Sequence, residues 1–275
     1  MYIKMQYLFL NLRTQKIIYI DIDLQPENIQ ILILSGGKTA STTLYNSFKR
    51  INSATFHTHH DEYTNFYLKS KMTIHDIIEA KRKEKLLIIS CYREPMYRAL
   101  SSLFEQHRKL FKIEAETGTE AMNKFIHINN AIIRKKFIEF LKNGEESYHP
   151  NQDKGRHLGS YIDIYKFPYN KDQGYQIYET DKFKWIYLRF DKIGNFEKII
   201  RENTKYKNFK LFSTNLTKNK SYYEKYLQAQ KFSLPKNVLD LCFKRDEKNL
   251  NYFYARDEIK IIKDKWYAQA CLEDK

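Results

Sequence analysis

The most constraining feature of the chain is an apolar run that changes abruptly into glycines, a lysine and small hydroxyl residues. Residues 31–34 read Ile-Leu-Ile-Leu, and residues 35–43 read Ser-Gly-Gly-Lys-Thr-Ala-Ser-Thr-Thr. A short apolar run bounded by glycine is typical of a buried parallel strand. Residues 42–50 contain neither glycine nor proline, which indicates a helix. The segment therefore predicts a strand, a tight loop and a helix N-terminus.

This junction has the composition of an anion-binding loop. A helix N-terminus leaves four backbone N–H groups without partners in the helix and carries the positive end of the helix dipole. Lys38 and the neighbouring hydroxyl groups add a positive charge and further donors for an oxyanion. The alternative is an ordinary strand-to-helix turn in which Ser and Thr only cap the helix.

The loop differs from the usual nucleoside triphosphate loop. The pattern Gly-x-x-x-x-Gly-Lys-[Ser/Thr] places its first glycine about five residues before the second. Gly37, Lys38 and Thr39 match the end of that pattern, but the first position is taken by Leu32 in the middle of the strand. The sequence therefore predicts an oxyanion loop of a shorter type.

A second strand-to-helix junction carries an arginine. Residues 86–92 form an apolar run, and Arg93, Glu94 and Pro95 follow it. Proline favours the first position of a helix, and we expect this helix to continue to about Lys112. An arginine at the end of a strand is suited to hold a phosphate through charge-assisted hydrogen bonds. Taken alone, the segment is better interpreted as an ordinary capped helix.

The two junctions together resemble the sulfotransferases that use 3′-phosphoadenosine 5′-phosphosulfate (PAPS) as sulfuryl donor. Residues 38–43 are similar to their 5′-phosphosulfate loop, Lys-[Ser/Thr]-Gly-[Thr/Ser]-Thr, with Ala40 where glycine is commoner. Residues 93–101 resemble their 3′-phosphate motif, Arg-Asp-Pro-x-x-Arg-x-x-Ser, with Glu94 in place of Asp. The resemblance extends over roughly residues 30–267. It implies a three-layer, P-loop-like α/β fold with a central, mainly parallel sheet flanked by helices.

The resemblance also implies which residues bind the donor PAPS and its product PAP, with no metal required. Lys38 would act on the 5′-phosphosulfate as both a binding and a catalytic residue, and Arg93 with Ser101 would hold the 3′-phosphate. A late basic loop would fold over the nucleotide. The implied donor-binding residues are Gly37, Lys38, Thr39, Ala40, Ser41, Thr42, Thr43, Arg93, Ser101, Lys218 and Lys220.

Histidines follow a β-prone segment after the first helix. In parallel α/β sheets, sites form at the carboxyl ends of the strands, and His57 and His59 share one face if the strand persists. A histidine with a pKa near ~6.5 is suited to take the proton of a sugar hydroxyl. We predict His59 as the general base, His57 as the second candidate and Glu62 as the carboxylate alternative. A metal site at these histidines ranks below that hypothesis.

The length and composition favour one domain. A chain of 275 residues with 42% hydrophobic residues is long enough to bury a sizeable core, so we expect residues 1–275 to form a single domain. Residues 1–28 are an N-terminal extension of uncertain role. Residues 146–180 look irregular and aromatic, and we interpret them as a lid or an acceptor-binding insertion.

The formal net charge of +15 indicates polyanionic partners. The signatures of specific nucleic-acid binding, such as zinc-finger spacing or a basic zipper, are not found in the sequence. No apolar run approaches the ~18 residues that span a bilayer, and the three cysteines lack metal-ligand spacing. We expect a cytoplasmic protein without a transmembrane segment. Peripheral contact with the anionic inner face of the membrane is left open.

The C-terminal region points to a saccharide acceptor. Residues 265–267, Lys-Trp-Tyr, together with residues 163–165 and 174–175, resemble a bacterial family of capsular-polysaccharide synthesis proteins named after an Asn-Lys-Trp-Tyr-Ser motif. Asp264 and Ala268 flank the shared tripeptide here. The resemblance implies sulfuryl transfer to a capsular or other cell-surface polysaccharide. Two alternatives are a P-loop-like kinase that uses ATP and a basic polyanion-binding protein without chemistry. The sequence does not indicate the oligomeric state.

Overall fold

The structure is a computed structural model. It describes residues 7–11, 16–20, 26–35, 37–58, 62–65, 70–80, 84–144, 162–212 and 219–271. The strands are β1 (Tyr7–Asn11), β2 (Lys16–Ile20), β3 (Ile31–Leu34), β4 (Thr55–Thr58), β5 (Glu62–Asn65), β6 (Ser70–Thr73), β7 (Leu86–Tyr92), β8 (Tyr175–Glu179) and β9 (Phe183–Arg189).

Helices connect and cover the strands. They are α1 (Ser41–Lys49), α2 (Ile74–Glu79), α3 (Pro95–Glu105), α4 (His107–Leu110), α5 (Gly118–Ile126), α6 (Asn130–Asn143), α7 (Phe196–Asn203), α8 (Tyr223–Ala229), α9 (Lys236–Arg245), α10 (Glu247–Phe253) and α11 (Arg256–Tyr267). Short 3-10 turns lie between some of them, including Phe190–Asn195 directly after β9.

A five-stranded sheet with the order β4-β3-β7-β9-β8 forms the centre of the fold. β4, β3, β7 and β9 are parallel to their neighbours, and β8 pairs with β9 in the antiparallel sense. The prediction of an α/β fold with a mainly parallel sheet is therefore confirmed. The hairpins β1–β2 and β5–β6 form separate two-stranded sheets, so the strands of the N-terminal extension pair outside the central sheet.

Both faces of the central sheet are buried. Ile31 and Ile33 pack with residues of α1 and α7 on one face, and Leu32 and Leu34 pack with residues of α3 and α6 on the other. All four side chains of β3 are buried, as expected for a parallel strand that is covered on both sides. The apolar run of the sequence is therefore a central strand.

The order of the strands creates a crevice between β3 and β7. From β3 the chain passes through α1 to β4 on one side, whereas from β7 it continues to β9 on the other side. The helices α1 and α3 accordingly leave the carboxyl edge of the sheet on opposite faces. Such a reversal of strand order is the usual place for a ligand site in an open α/β sheet.

Two predicted elements differ from the structure. The helix expected to reach Lys112 ends at Glu105, where the His107 ring contacts the Phe104 carbonyl at 2.8 Å. Since the last carbonyls of a helix need partners, this contact favours termination there. β8 lies within the stretch expected to be irregular, since its aromatic and β-branched residues pair with β9. Residues 146–161, the first part of the predicted lid, lie outside the described residues.

A buried arginine ties the C-terminal helix to the sheet. Arg189, the last residue of β9, is 0% exposed and donates to both carboxylate oxygens of Glu258 at 2.8 and 2.6 Å, and to Asp191 at 3.0 Å. Glu258 also accepts the backbone N–H of Ala255 at 2.9 Å, at the start of α11. Arg189 therefore has a structural role.

Replacing Glu258 with alanine should lower the free energy of unfolding by about 2–3 kcal/mol. The change leaves the buried Arg189 with Asp191 as its remaining carboxylate partner and removes the acceptor for the Ala255 N–H. Urea unfolding followed by circular dichroism measures the loss. Glu202→Ala is the matched control, because Glu202 is exposed and its contact with Lys198 is 4.0 Å long, so its cost should stay below about 0.5 kcal/mol. Equal costs for the two variants would contradict the structural role of the Arg189–Glu258 ion pair.

Candidate functional site

A cavity of about 190 Å³ opens at the carboxyl ends of β3 and β7. The cavity is lined by the loop after β3, the arginine after β7 and one face of α3. Its lining residues are Gly37, Lys38, Ala40, Ser41, Thr42, Thr43, Arg93, Ser101, Glu105, Phe190, Ile193, Lys220, Tyr222 and Tyr226. Nine of these were predicted from the sequence as donor-binding residues, and Glu105, Phe190, Ile193, Tyr222 and Tyr226 were not.

Two buried serines hold the strands at the point where they separate. The backbone pairing of β3 with β7 ends at Ile33 and Ile89. Beyond it, the Ser35 hydroxyl donates to the Cys91 carbonyl and accepts the Cys91 N–H, both at 3.0 Å. The Ser90 hydroxyl donates to the carbonyl of the last β3 residue. Side-chain hydrogen bonds therefore replace the ladder and keep the crevice open.

The loop between β3 and α1 has two residues in the left-handed conformation. Lys38 has φ of 65°, and Ala40, the N-cap of α1, has φ of 66° and ψ of 13°. The interpretation that Ser and Thr only cap the helix is wrong at the N-cap itself, because alanine has no capping group and no side-chain cap is formed. A left-handed residue followed by the helical Ser41 turns successive backbone N–H groups toward one concave site, which suits an anion.

Thr39 faces the interior. Its side chain is fully buried, and its Oγ1 lies 2.6 Å from Oγ of Ser35. Thr39 is not a lining residue, unlike the other predicted members of the loop from Gly37 to Thr43. It therefore fixes the loop to β3, and a direct contact of its hydroxyl with the donor is not what the structure favours.

Arg93 connects the two halves of the cavity. Its Nη1 donates to the Ser101 hydroxyl at 3.0 Å and to the Lys38 carbonyl at 3.1 Å. Its guanidinium lies over the Phe190 ring, 4.4 Å from the centroid. The Ser101 hydroxyl in turn lies 3.3 Å from the Tyr226 hydroxyl. Within the described ranges, no carboxylate forms an ion pair with Arg93.

Glu94 fixes the turn from which Arg93 emerges. Its buried carboxylate accepts the backbone N–H groups of Met96 at 2.9 Å and Tyr97 at 2.7 Å, and so caps α3. Burial raises the pKa of Glu94, while the two backbone hydrogen bonds and the nearby Arg93 act in the opposite direction. The residue that differs from the family pattern thus retains the capping role expected of an Asp there.

Three cations and one carboxylate line the cavity. Burial lowers the pKa of Lys38; Glu105, at 3.6 Å from the Lys38 amine, acts to raise it, and the charges of Lys220 and Arg93 lower it. The pKa of Lys38 is below its ordinary value as the result. An anion in the cavity would stabilise the charged form of every one of these cations.

The predicted acceptor-side residues are placed only in part. His57 lies in β4, where its ring stacks on Tyr45 with centroids 5.5 Å apart, and it is not a lining residue of the cavity. His59 and Lys218 lie outside the described residues, as does the side chain of Glu62 at the start of β5. In the part of the chain that the structure describes, no group of three His, Cys, Asp or Glu residues is arranged to hold a metal ion.

The Lys-Trp-Tyr tripeptide packs behind the wall of the cavity. Trp266 meets the Tyr97 ring with centroids 5.4 Å apart, and Lys265 donates to the Tyr97 hydroxyl. Tyr97 lies on the first turn of α3, and Arg93 is 5.9 Å from its centroid. The tripeptide therefore supports the helix that carries Ser101 and does not itself line the cavity.

Comparison of the chain with models of known protein families, with curated proteins and with solved structures finds no match. A search of the described helices finds none that is both long enough and apolar enough to cross a membrane. The function of the chain therefore has to be inferred from the cavity and its residues.

Replacing Ala40 with glycine should raise the free energy of unfolding by up to about 1 kcal/mol. A Cβ in the left-handed region destabilises the folded state by roughly 1–2 kcal/mol. The greater conformational freedom of glycine stabilises the unfolded chain, which offsets part of the gain from removing the Cβ. Urea unfolding measures the change. Ala131→Gly, in the exposed first turn of α6, is the control and should lower the same quantity. A loss of stability in both variants would show that residue 40 carries no strain.

Proposed function

We propose that this protein is a sulfotransferase that transfers a sulfuryl group from PAPS to a hydroxyl of a saccharide, such as a capsular or other cell-surface polysaccharide. One observation carries the proposal. The start of α1 with Lys38, and the Arg93–Ser101 pair, line one cavity and form two sets of anion-binding groups. A nucleotide with anionic groups at both its 5′ and 3′ positions matches two such sets.

The chemistry of the lining residues fits a bound polyanionic nucleotide. Lys38, Lys220 and the N–H groups at the start of α1 are the groups suited to the 5′ end of the donor. Arg93 and Ser101 are suited to the 3′-phosphate, because a guanidinium binds phosphate oxygens through charge-assisted hydrogen bonds. When bound, PAPS supplies the activated sulfuryl group. The P-loop-like character of the fold belongs to this proposal and is supported by the loop between β3 and α1.

The residues of the cavity supply position and charge. Sulfuryl transfer resembles phosphoryl transfer, in which the protein orients the reacting groups and stabilises developing negative charge. Lys38 and the first N–H groups of α1 neutralise charge on the leaving oxygen. Arg93 and Ser101 fix the distant end of the nucleotide, so that the direction of attack is reproducible.

The saccharide hydroxyl that receives the sulfuryl group has to give its proton to a general base. We propose His59 for this role, with His57 second and Glu62 as the carboxylate alternative. β4 runs parallel to β3 and ends at Thr58, at the same edge of the sheet as the cavity. His57 ranks second because its ring stacks on Tyr45 of α1 and does not line the cavity.

We also propose that the protein is located in the cytoplasm. This location is supported by the three cysteines, Cys91, Cys242 and Cys271, none of which is joined in a disulfide. The formal charge of +15 is compatible with peripheral contact to anionic lipid headgroups as well as with a polyanionic ligand. ATP-dependent kinase activity and polyanion binding without chemistry are the competing hypotheses, and the following two experiments separate them.

PAP should bind the wild-type protein at least about tenfold more tightly than ADP, since hydrogen bonds to charged groups contribute roughly 1.5–3 kcal/mol each. Ser101→Ala should weaken the binding of PAP roughly tenfold or more and leave the affinity for ADP nearly unchanged. Ser101 is a sharper probe than Arg93, because Arg93 also holds the Lys38 carbonyl. Isothermal titration calorimetry gives both affinities.

Ser102→Ala is the control for this titration, because Ser102 is buried in the same helix and does not line the cavity. Its affinities for both nucleotides should equal those of the wild type. Equal affinities of the wild-type protein for PAP and ADP would contradict the sulfotransferase proposal and favour the kinase.

Lys38→Ala should reduce sulfuryl transfer from radiolabelled PAPS to a saccharide panel by about 10²–10³, the effect of removing one donor that stabilises transition-state charge. The variant should fold normally, since Lys38 lies in a loop with a partly exposed side chain. Lys49→Ala removes the same charge from the other end of α1, where Lys49 binds the Ser53 carbonyl at 2.7 Å, and should leave transfer unchanged. A Lys38→Ala activity within a few-fold of wild type would exclude the assigned role of the loop.

A further inference from the structure

Glu105 is a carboxylate inside a cavity that is otherwise suited to anions. It is the last residue of α3 and lies four positions after Ser101, so both side chains project from the same face of the helix. Its Oε1 is 3.6 Å from the Lys38 amine. Burial raises the pKa of Tyr222, and the charge of Glu105 raises it further, which places this carboxylate beside Tyr222 as well.

The carboxylate compensates positive charge while no anion is bound. Without Glu105, the side chains of Lys38, Arg93 and Lys220 would share the cavity with no negative group among the other described lining residues. Glu105 pairs with Lys38 and not with Arg93, so its effect is directed at one of the two sets of anion-binding groups. An anion that binds Lys38 therefore has to take the place of this carboxylate.

We propose that Glu105 determines ligand specificity at the donor site by occupying Lys38 as an ion pair, so that a ligand must place an anionic group on Lys38 in exchange for this carboxylate. The proposal rests on the proposed function and names how that site selects its ligand. Ligands that engage only the Arg93–Ser101 pair leave the ion pair intact. Ligands with a 5′-phosphate displace it, and the pair forms again when the product leaves, which favours product release.

A double-mutant cycle on the full-length protein tests this exchange. PAP affinities are measured by calorimetry for the wild type, Glu105→Gln, Lys38→Met and the double variant. Glu105→Gln should bind PAP roughly two- to fivefold more tightly, the fold-change that corresponds to a partly exposed ion pair of up to 1 kcal/mol. In the Lys38→Met background the same substitution should change the PAP affinity by less than about 1.5-fold, because the group that Glu105 occupies is gone.

Adenosine 3′-monophosphate serves as the second ligand, because it lacks a 5′-phosphate. Its affinity should be the same in the wild type and in Glu105→Gln. Glu114→Gln is the control variant, since Glu114 is exposed and lies outside the cavity, and it should leave both affinities unchanged. Thermal unfolding of each variant verifies that the fold is retained.

Unchanged or weaker PAP binding by Glu105→Gln would overturn the proposal. A gain that persists in full in the Lys38→Met background would overturn it too, because Glu105 would then act on the ligand directly. Failure of the proposed function has a different result, namely equal affinity of the wild-type protein for PAP and ADP. In that case the double-mutant cycle is repeated with ADP, whose 5′-diphosphate also binds Lys38. The same two criteria, applied to the ADP affinities, then decide whether the ligand replaces Glu105 on Lys38.

Discussion

The structure depends on how β3 and β7 separate at their carboxyl ends. Their ladder stops at Ile33 and Ile89, although β7 remains paired with β9 to its last residue. Unpaired backbone groups at this depth would be costly, and the hydroxyls of Ser35 and Ser90 satisfy them. The Trp185 indole donates to Ser90 at 2.8 Å and so extends this support to β9. The separation is therefore a stable feature, and the cavity exists because of it.

The two sets of anion-binding groups hold each other in position through hydrogen bonds. Positive φ at Lys38 and Ala40 persists only if the surroundings hold the loop in place. Two hydrogen bonds do so: the Thr39 hydroxyl bonds the Ser35 hydroxyl, and the Arg93 guanidinium donates to the Lys38 carbonyl. A change at Arg93 should consequently alter the shape of the loop as well as the proposed binding of a 3′-phosphate.

The sequence predicted the parts of the site that depend on local pattern. Buried strands follow from apolar runs, and the helix after the loop follows from a stretch without glycine or proline. The resemblance of residues 93–101 to a 3′-phosphate motif implied that Arg93 and Ser101 act together, and both line the cavity. The inward direction of Thr39 was missed because it results from backbone angles at its neighbours, which composition does not encode. Glu105 was missed for another reason: nothing in its helix distinguishes it, and its importance arises from a lysine of a different element.

The helix α11 explains how a tripeptide remote in sequence is linked to the cavity. Its first turn holds Arg189 through Glu258, at the end of the strand that leads to Phe190, and its last turn packs Trp266 on Tyr97. α11 thus supports both the segment with Phe190, whose ring lies against the Arg93 guanidinium, and α3, which carries Ser101. The Lys-Trp-Tyr tripeptide therefore acts on the cavity through packing, because its residues support the wall of the cavity without lining it.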